Sequence, residues 1–181
     1  MTARAMTARA IWLTGLSSTG KSAVAGELRA LLLARGVAPV LLDGDALREA
    51  LPWPTGYARE DRLDLARFYG RLARQLAAQD HVVICATVSL FHEVQAWNRA
   101  HIPGYFEVWL RAPADELARR DGGKRVYTGA RGAVVGRELV PEFPRAPDLV
   151  IDNHGATTPA AAARRIIERT GPRRTREHAD G

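Results

Sequence analysis

The stretch that decides the fold of this protein is GLSSTGKS, residues 15–22. It matches the pattern G-x-x-x-x-G-K-[ST], whose glycines let the backbone wrap around phosphate groups so that its N–H groups face their negative charge. A chance match on a glycine-rich turn is expected in about one chain in a hundred of this size or fewer. The stretch predicts a phosphate-binding loop, provided that a buried strand precedes it and a helix follows it.

The flanking sequence meets that condition. The run IWLTGL predicts a buried strand before the loop, and Val24, Leu28 and Leu32 recur at helical spacing after it, up to Gly36. Further on, β-rich runs alternate with helical periods, which is typical of an α/β fold with a parallel sheet and helices on both faces. The predicted strands cover residues 11–16, 38–43, 81–88, 105–112 and 148–152, and the predicted helices cover 21–35, 58–79, 91–100, 114–120 and 158–170.

The 181 residues suffice for one domain with a continuous core. We assign residues 11–170 to it. Residues 1–10 repeat the five-residue sequence MTARA and are predicted to be a disordered extension, and residues 171–181 a disordered basic tail. Residues 121–146 are rich in glycine, proline and charge without a clear period. They predict a mobile lid over the phosphates, with an ordinary surface loop as the alternative.

The net charge of +6 and the pI of about 10.2 raise the question of nucleic-acid binding. No zinc-ligand spacing, RNA-binding aromatic signature or heptad accompanies the charge, so a solvated face with sites for anionic substrates is favoured. No apolar run reaches the roughly 20 residues of a membrane span, and residues 1–10 do not resemble a secretory signal. Cys85 is the single cysteine, in an apolar run. We predict a cytoplasmic protein with no nucleic-acid or membrane partner.

Two acidic residues follow the second predicted strand in the run Asp43-Gly44-Asp45. The carboxyl ends of parallel strands face the ligand crevice, where carboxylates can hold Mg²⁺ through water and take a proton from an acceptor hydroxyl. The alternative is a turn in which the aspartates cap the next helix. In phosphate loops of this pattern the lysine, here Lys21, reaches the β- and γ-phosphates, and the hydroxyl, here Ser22, is a ligand of Mg²⁺. These residues predict an ATP- and Mg²⁺-dependent phosphotransferase.

Four runs together resemble the adenylylsulfate (APS) kinase family over about residues 10–170: GLS with GKS, LLDGDALR, GYAREDR and PDLVIDN. A GTPase would need a guanine-reading Asn-Lys-x-Asp after a late strand, which the sequence lacks. Members of the APS kinase family are P-loop kinases, usually dimeric, that phosphorylate the ribose 3′-hydroxyl of adenylylsulfate with MgATP. The resemblance implies a P-loop nucleoside-triphosphate kinase fold, a small nucleotide acceptor and a homodimer.

The resemblance also implies roles for individual residues. Lys21, Asp43 and Asp45 are the catalytic candidates, with Asp45 as the base, and Ser22 and Asp43 are the metal candidates. The residues expected to bind ATP are Gly15, Ser17, Ser18, Thr19, Gly20, Lys21, Ser22, Ala23 and Arg120. The residues expected to hold the acceptor are Asp45, Arg48, Tyr57, Arg62, Ser89 and Lys124, and Tyr127 falls with Lys124 in the lid segment of the family.

Elementary chemistry agrees with the acceptor residues. A doubly charged anhydride suits arginine, whose planar fork makes paired hydrogen bonds at fixed geometry, as expected of Arg48 and Arg62. For Arg62 the alternative is a surface charge. Tyr57 stands where the family has a phenylalanine stacked on the base of the acceptor, and its alternative is a core residue.

The sequence departs from the family mainly on the acceptor side. Three residues after Arg62 the family has an asparagine that helps to read adenine, and this chain has Leu65. The second arginine of a following pair is Phe68, the FISP run is Thr-Val-Ser-Leu at residues 87–90, and the next arginine is His92. A lost polar contact in a closed pocket can change a preference tenfold, so the acceptor is less determined than the kinase activity.

Three hypotheses for function follow. The first is phosphorylation of adenylylsulfate to 3′-phosphoadenylylsulfate. The second is a kinase for another nucleotide anhydride such as cytidine diphosphoramidate. The altered run Val-Ser-Leu-Phe-His at residues 88–92 resembles that branch of kinases. The third is a non-catalytic, nucleotide-binding regulatory module, which would keep the loop without a working base. The intact Asp43 and Asp45 argue against the third.

Overall fold

The computed structural model describes residues 6–121 and 140–171. Their elements, in chain order, are β1 (Ala10–Thr14), α1 (Lys21–Leu33), β2 (Val40–Asp43), α2 (Gly44–Ala50), α3 (Arg59–Ala77), β3 (Val83–Ala86), α4 (His92–His101), β4 (Tyr105–Arg111), α5 (Ala114–Arg120), β5 (Leu149–Asp152) and α6 (Pro159–Thr170). The five strands form one parallel sheet in the order β2-β3-β1-β4-β5. The predicted α/β fold is confirmed.

Both faces of the sheet are covered by helices, which is why the inner strands β1 and β3 are buried along their whole length. On one face α1 and α6 pack against residues such as Ile11, Leu13 and Val108. On the other face α3 and α4 pack against Trp12, Val83 and other residues that alternate with the first set. Side chains of successive strand residues point to opposite faces, so a single buried strand such as β1 supplies both cores.

The predicted domain start at residue 11 is too late. Ala10 opens β1, Ala8 is buried, and the backbone N–H of Thr7 donates to the carbonyl of Thr170 at 3.0 Å. Met6 packs against the core on the same side. These residues have no hydrophobic period and gave no sequence signal, yet the backbone N–H of Arg9 donates to the carbonyl of Gly104 before β4 at 2.9 Å. Residues 1–5 and 172–181 lie outside the described residues.

Two expectations for exposed and buried segments also change. The predicted lid of residues 121–146 extends too far at its end. Pro144 is buried, and Phe143, although 38% exposed, stacks on Trp109 with ring centroids 5.2 Å apart. Residues 122–139 lie outside the described part. On α3, Phe68 is 38% exposed, whereas Leu65 and Tyr69 are buried. In the described part of the chain, no helix has both the length and the apolarity to cross a bilayer.

Candidate active site

The loop between β1 and α1 has the geometry that its glycines predict. Gly15 has φ 148° and Gly20 has φ 88°, values that residues with a Cβ rarely adopt. A Cβ on Gly15 would also collide with the carbonyl of Leu110 on β4. The hydroxyl of Thr19 donates to the carbonyl of Leu16 at 2.8 Å and closes the loop. The backbone is therefore held in a tight turn at the amino end of α1, where N–H groups favour an anion.

Lys21 extends over this loop. Its Nζ donates to the carbonyls of Gly15 at 3.0 Å and Leu16 at 2.8 Å. These contacts place the ammonium group across the turn rather than out in solvent. The structure thus brings the charge of the lysine to the same place as the loop N–H groups.

The end of β2 meets the start of α1 through one short contact. The hydroxyl of Ser22 donates to Oδ2 of Asp43 at 2.6 Å, although β3 separates β2 from β1 in the sheet. The other carboxylate oxygen of Asp43 accepts from the backbone N–H groups of Asp45 at 3.0 Å and Ala46 at 3.4 Å. Asp43 therefore caps α2, as the capping alternative for the acidic run predicted for it, and also reaches the phosphate loop, although α2 itself was not among the predicted helices. Asp45 is exposed in the first turn of α2.

The hydroxyl of Ser22 and the carboxylate of Asp43 fit a magnesium ion, since both are hard oxygen ligands. Among residues 6–121 and 140–171, no group of three or more His, Cys, Asp or Glu side chains could hold a metal. Mg²⁺ commonly takes only one or two protein ligands and completes its octahedron with water and substrate phosphates. The donor set suits such an ion and offers no all-protein metal cage.

Asn153 belongs to this site and was not among the predicted residues. It directly follows β5, is 3% exposed, and its Nδ2 donates to the carbonyl of Thr19 at 2.7 Å. A Cβ on Gly20 would lie 2.6 Å from the same nitrogen. The sequence signal was available, because a polar residue at the carboxyl end of a parallel strand faces the ligand crevice.

Arg120 lies beside the phosphate loop, at the end of α5. A Cβ on Gly20 would be 3.8 Å from Nη1 of Arg120, so the guanidinium adjoins the turn. Its Nε donates to Glu116 at 2.6 Å. Hydrogen bonds from Arg119 and then Arg120 lower the pKa of Glu116 to about 2, which keeps this carboxylate charged.

The predicted acceptor residues converge at the loop between α2 and α3. One nitrogen of Arg48 donates to the hydroxyl of Thr55 at 2.6 Å and to the carbonyl of Gly56 at 3.0 Å. Nε of Arg62 donates to the carbonyl of Tyr57 at 2.9 Å. The Cζ atoms of Arg48 and Arg62 lie 4.7 and 5.3 Å from the centroid of the Tyr57 ring. Since Tyr57 is 43% exposed, the core alternative for it is wrong.

The two arginines also affect each other. Arg62 is half-buried, and burial together with the neighbouring charge of Arg48 lowers the pKa of its guanidinium. Two cations held on one aromatic ring repel each other, and an anion between them would relieve that repulsion. The cluster is thus suited to a phosphate or sulfate group.

Ser89 lies in the loop after β3, the strand between β2 and β1 in the sheet. It has φ 28°, is buried, and shares a 2.9 Å hydrogen bond with the hydroxyl of Thr87. The preceding carbonyl of Val88 accepts from the hydroxyl of Thr14 on β1 at 2.6 Å. The loop after β3 is thereby tied to the strand that carries the phosphate loop. The predicted residues Lys124 and Tyr127 lie outside the described residues.

The departures from the family occupy distinct positions. Leu65 is 7% exposed and packs with the core, so this position offers a ligand no polar group. Nε2 of His92 lies 2.9 Å from the carbonyl of Phe143, which can only accept, so that nitrogen carries a proton. Tyr69 was not among the predicted site residues. Its hydroxyl donates to the carbonyl of Gly44 at 3.1 Å and joins α3 to α2. Burial raises the pKa of Tyr69 to about 12.

Comparison with known proteins gives the family of this fold and site. A family model for adenylylsulphate kinase matches residues 7–152. The chain belongs to the adenylylsulfate kinase family. It is 37% identical over 147 residues to the cytidine diphosphoramidate kinase of Campylobacter jejuni, covering 79% of this chain and 85% of that protein. It is 36% identical over 163 residues to the adenylyl-sulfate kinase of Pseudomonas aeruginosa, covering 87% and 82%.

A solved structure agrees with this membership. The APS kinase of Mycobacterium tuberculosis, in complex with AMPPNP and APS, has a TM-score of 0.81 and 30% identity to this chain, covering 90% of this chain and 96% of its own. The prediction of a P-loop kinase resembling adenylylsulfate kinase is confirmed. The chain is a nucleotide-binding kinase of the adenylylsulfate kinase family.

Proposed function

We propose that this kinase transfers the γ-phosphate of ATP to the ribose 3′-hydroxyl of a nucleotide anhydride, with adenylylsulfate as the first candidate acceptor. The observation that carries the proposal is the Arg48–Tyr57–Arg62 cluster, where two guanidiniums lie within 5.3 Å of one exposed ring. An exposed aromatic ring offers a base a face to stack on, and converging guanidiniums offer the anhydride paired hydrogen bonds.

The residues divide the proposed reaction among themselves. Asp45 takes the proton from the acceptor hydroxyl, and the resulting oxygen attacks the γ-phosphorus while the bond to the β-phosphate oxygen breaks. Lys21 and the N–H groups of the loop stabilise the charge that collects on the phosphate oxygens. Ser22 and Asp43 would hold Mg²⁺, and a bound ion would neutralise phosphate charge. The products are ADP and the 3′-phosphorylated acceptor.

Cytidine diphosphoramidate is the second candidate acceptor, and a specific observation favours it. The family asparagine that reads adenine is Leu65 here, with 7% of its surface exposed. An adenine base would lose that polar contact, at a cost of about 1 kcal/mol or more. A smaller base that relies on stacking and on the anhydride would lose less.

An assay of ADP release tests the acceptor. Purified protein with MgATP is given adenylylsulfate or cytidine diphosphoramidate. Plain nucleoside diphosphates, which lack the sulfate or phosphoramidate group, are the controls. Turnover of adenylylsulfate supports the first candidate. Turnover of the cytidine compound alone would replace it by the second, and turnover of neither would contradict the nucleotide-anhydride proposal.

Variants of Asp45 test the enzyme proposal against a regulatory module. With the preferred acceptor, Asp45→Ala should lower kcat by about 10²–10⁴-fold, since a general base supplies that range. Asp45→Asn, nearly the same shape, should lose as much because an amide does not accept the proton. Unchanged turnover in both variants would exclude Asp45 as the base.

We also propose a homodimer, which light scattering on the same preparation would test.

A further inference from the structure

Glu142 contacts two helices through all of its polar groups. Its backbone N–H donates to the carbonyl of Leu90 at 3.0 Å, and its carbonyl accepts from Nε2 of Gln95 at 2.9 Å. In its side chain, Oε2 accepts from the backbone N–H of His92 at 2.6 Å and Oε1 from Arg59 at 2.8 Å. One residue therefore joins the loop before α4, the first turn of α4 and the first residue of α3.

The contact with His92 supplies something that α4 lacks. The helix begins at His92, and its N-cap residue, Phe91, has no side-chain acceptor for the first N–H groups. A carboxylate from another segment fills that role and also complements the helix dipole. In return, the ring of His92 donates to the carbonyl of Phe143. These paired contacts hold residues 142 and 143 and the start of α4 in one arrangement.

The contact with Arg59 reaches the acceptor cluster. Arg59 opens α3 two residues after Tyr57 and three before Arg62. Its guanidinium lies 5.3 Å from the ring centroid of Phe91 as well as bonding Glu142. The start of α3 is thus fixed against the loop that carries Ser89. Only 29% of the Glu142 side chain is exposed, so solvent screens this ion pair less than a fully exposed one.

We infer that Glu142 is a positioning residue for the acceptor, which holds the start of α3 and the loop after β3 at a fixed separation. Arg62 lies in the first turn of α3, and Ser89 lies in the loop after β3. The hydrogen bonds of Glu142 go to Leu90, His92, Gln95 and Arg59 rather than to residues 15–22, so we expect the main effect on the acceptor. This inference rests on the proposed function, in which those two segments hold the acceptor.

Steady-state kinetics of Glu142→Ala and Glu142→Gln, with MgATP and with adenylylsulfate and cytidine diphosphoramidate in turn, test the inference. We expect Glu142→Ala to raise the KM for the acceptor by about tenfold, as for one lost buried charge-assisted contact. Glu142→Gln keeps an acceptor for His92 but loses the charge facing Arg59, so its KM should rise by about threefold. The KM for MgATP should change by less than about twofold in both. Glu168→Gln, an exposed glutamate on α6, is the matched control and should match the wild type.

Three results would overturn the inference. An unchanged acceptor KM in Glu142→Ala would show that the link does not position the acceptor. Equal changes in the KM for acceptor and MgATP, with a lowered melting temperature, would show a general structural role. If Glu142→Ala does not fold, Glu142→Gln takes its place. An unchanged acceptor KM in Glu142→Gln would also contradict the inference. If the wild type turned over neither compound, the proposed function would fail first and this inference with it.

Discussion

The side-chain amide of Asn153 donates to the backbone carbonyl of Thr19 at 2.7 Å, across 134 residues of sequence. It joins the end of the last strand to the middle of the phosphate loop. The amide is buried, so the contact is not shared with solvent. Asn153 therefore helps to fix the direction in which the N–H groups of the loop point.

Asn153→Asp replaces the donor with a carboxylate oxygen facing a carbonyl oxygen. We expect the KM for MgATP to rise by about tenfold and the free energy of unfolding to fall by about 2 kcal/mol, the cost of a lost and unsatisfied buried hydrogen bond. Enzyme kinetics and denaturant unfolding measure both. Glu168→Gln, at an exposed position of α6, is the control and should have little effect. An unchanged KM for MgATP in Asn153→Asp would show that the loop keeps its shape without this contact.

Lys21→Ala removes the only lysine of the phosphate loop. Because the ammonium stabilises charge that develops on the phosphates, we expect kcat to fall by about 10²–10³-fold or more. The melting temperature should change by only a few degrees, since the two bonds of Nζ go to loop carbonyls that solvent can also satisfy. An ADP-release assay and thermal unfolding measure these quantities. Turnover within tenfold of the wild type would remove Lys21 from the proposed chemistry.

Two helical glycines form a matched pair for stability. Gly70 on α3 faces α4 so closely that a Cβ would collide with the side-chain oxygen of Asn98, whereas a Cβ on Gly26 of α1 would meet nothing within 4 Å. Gly70→Ala should destabilise the protein by about 1–3 kcal/mol through overpacking. Gly26→Ala should stabilise it by about 0.5–1 kcal/mol through helix propensity. Denaturant unfolding compares them, and equal shifts of the same sign would contradict the packing of α3 on α4.

Cys85 should resist thiol reagents in the native protein. It is 1% exposed in β3, and burial raises the pKa of its thiol above the ordinary value, so the reactive thiolate is scarce at pH 8. We expect no reaction with a disulfide reagent until guanidinium chloride unfolds the chain. Above about pH 8.5 the thiol ionises in the unfolded chain but stays neutral in the folded one. The free energy of unfolding should therefore fall as the pH rises above that value. Rapid native labelling would place Cys85 outside the core.

The stability difference between the wild type and Glu142→Gln should depend on pH. The pKa of Glu142 lies below its ordinary value of 4.5, first because the backbone N–H of His92 donates to it and then because Arg59 does. A lowered pKa contributes stability that is present above pH 4.5 and is lost as the pH falls through the folded-state value. Melting temperatures from pH 7 to pH 3 should show the gap narrowing below pH 4.5. A gap independent of pH would mean that the charge of Glu142 does not stabilise the fold.

The sequence predicted the sheet, because each strand is a short apolar run between helical periods. It did not predict α2, since residues 44–50 are too few to show a period and the helix is capped by Asp43, a residue already assigned to catalysis. The role of residues 6–10 was missed for a related reason. Small residues such as Ala8 carry little hydrophobic signal, and only the neighbouring strand and helix bury them.

By itself, the sequence determined the phosphate loop and the fold around it. The glycines of GLSSTGKS allow the tight turn of the loop, and this effect depends only on local backbone sterics. Tertiary structure alone decided which distant residues meet that loop and the acceptor crevice. Asn153 reaches Thr19, and Glu142 links Arg59 to His92, because the order of strands and helices brings their segments together. Contacts between residues far apart in the chain depend on how whole elements pack; a local pattern can place Asn153 at the edge of the sheet but does not specify its partner.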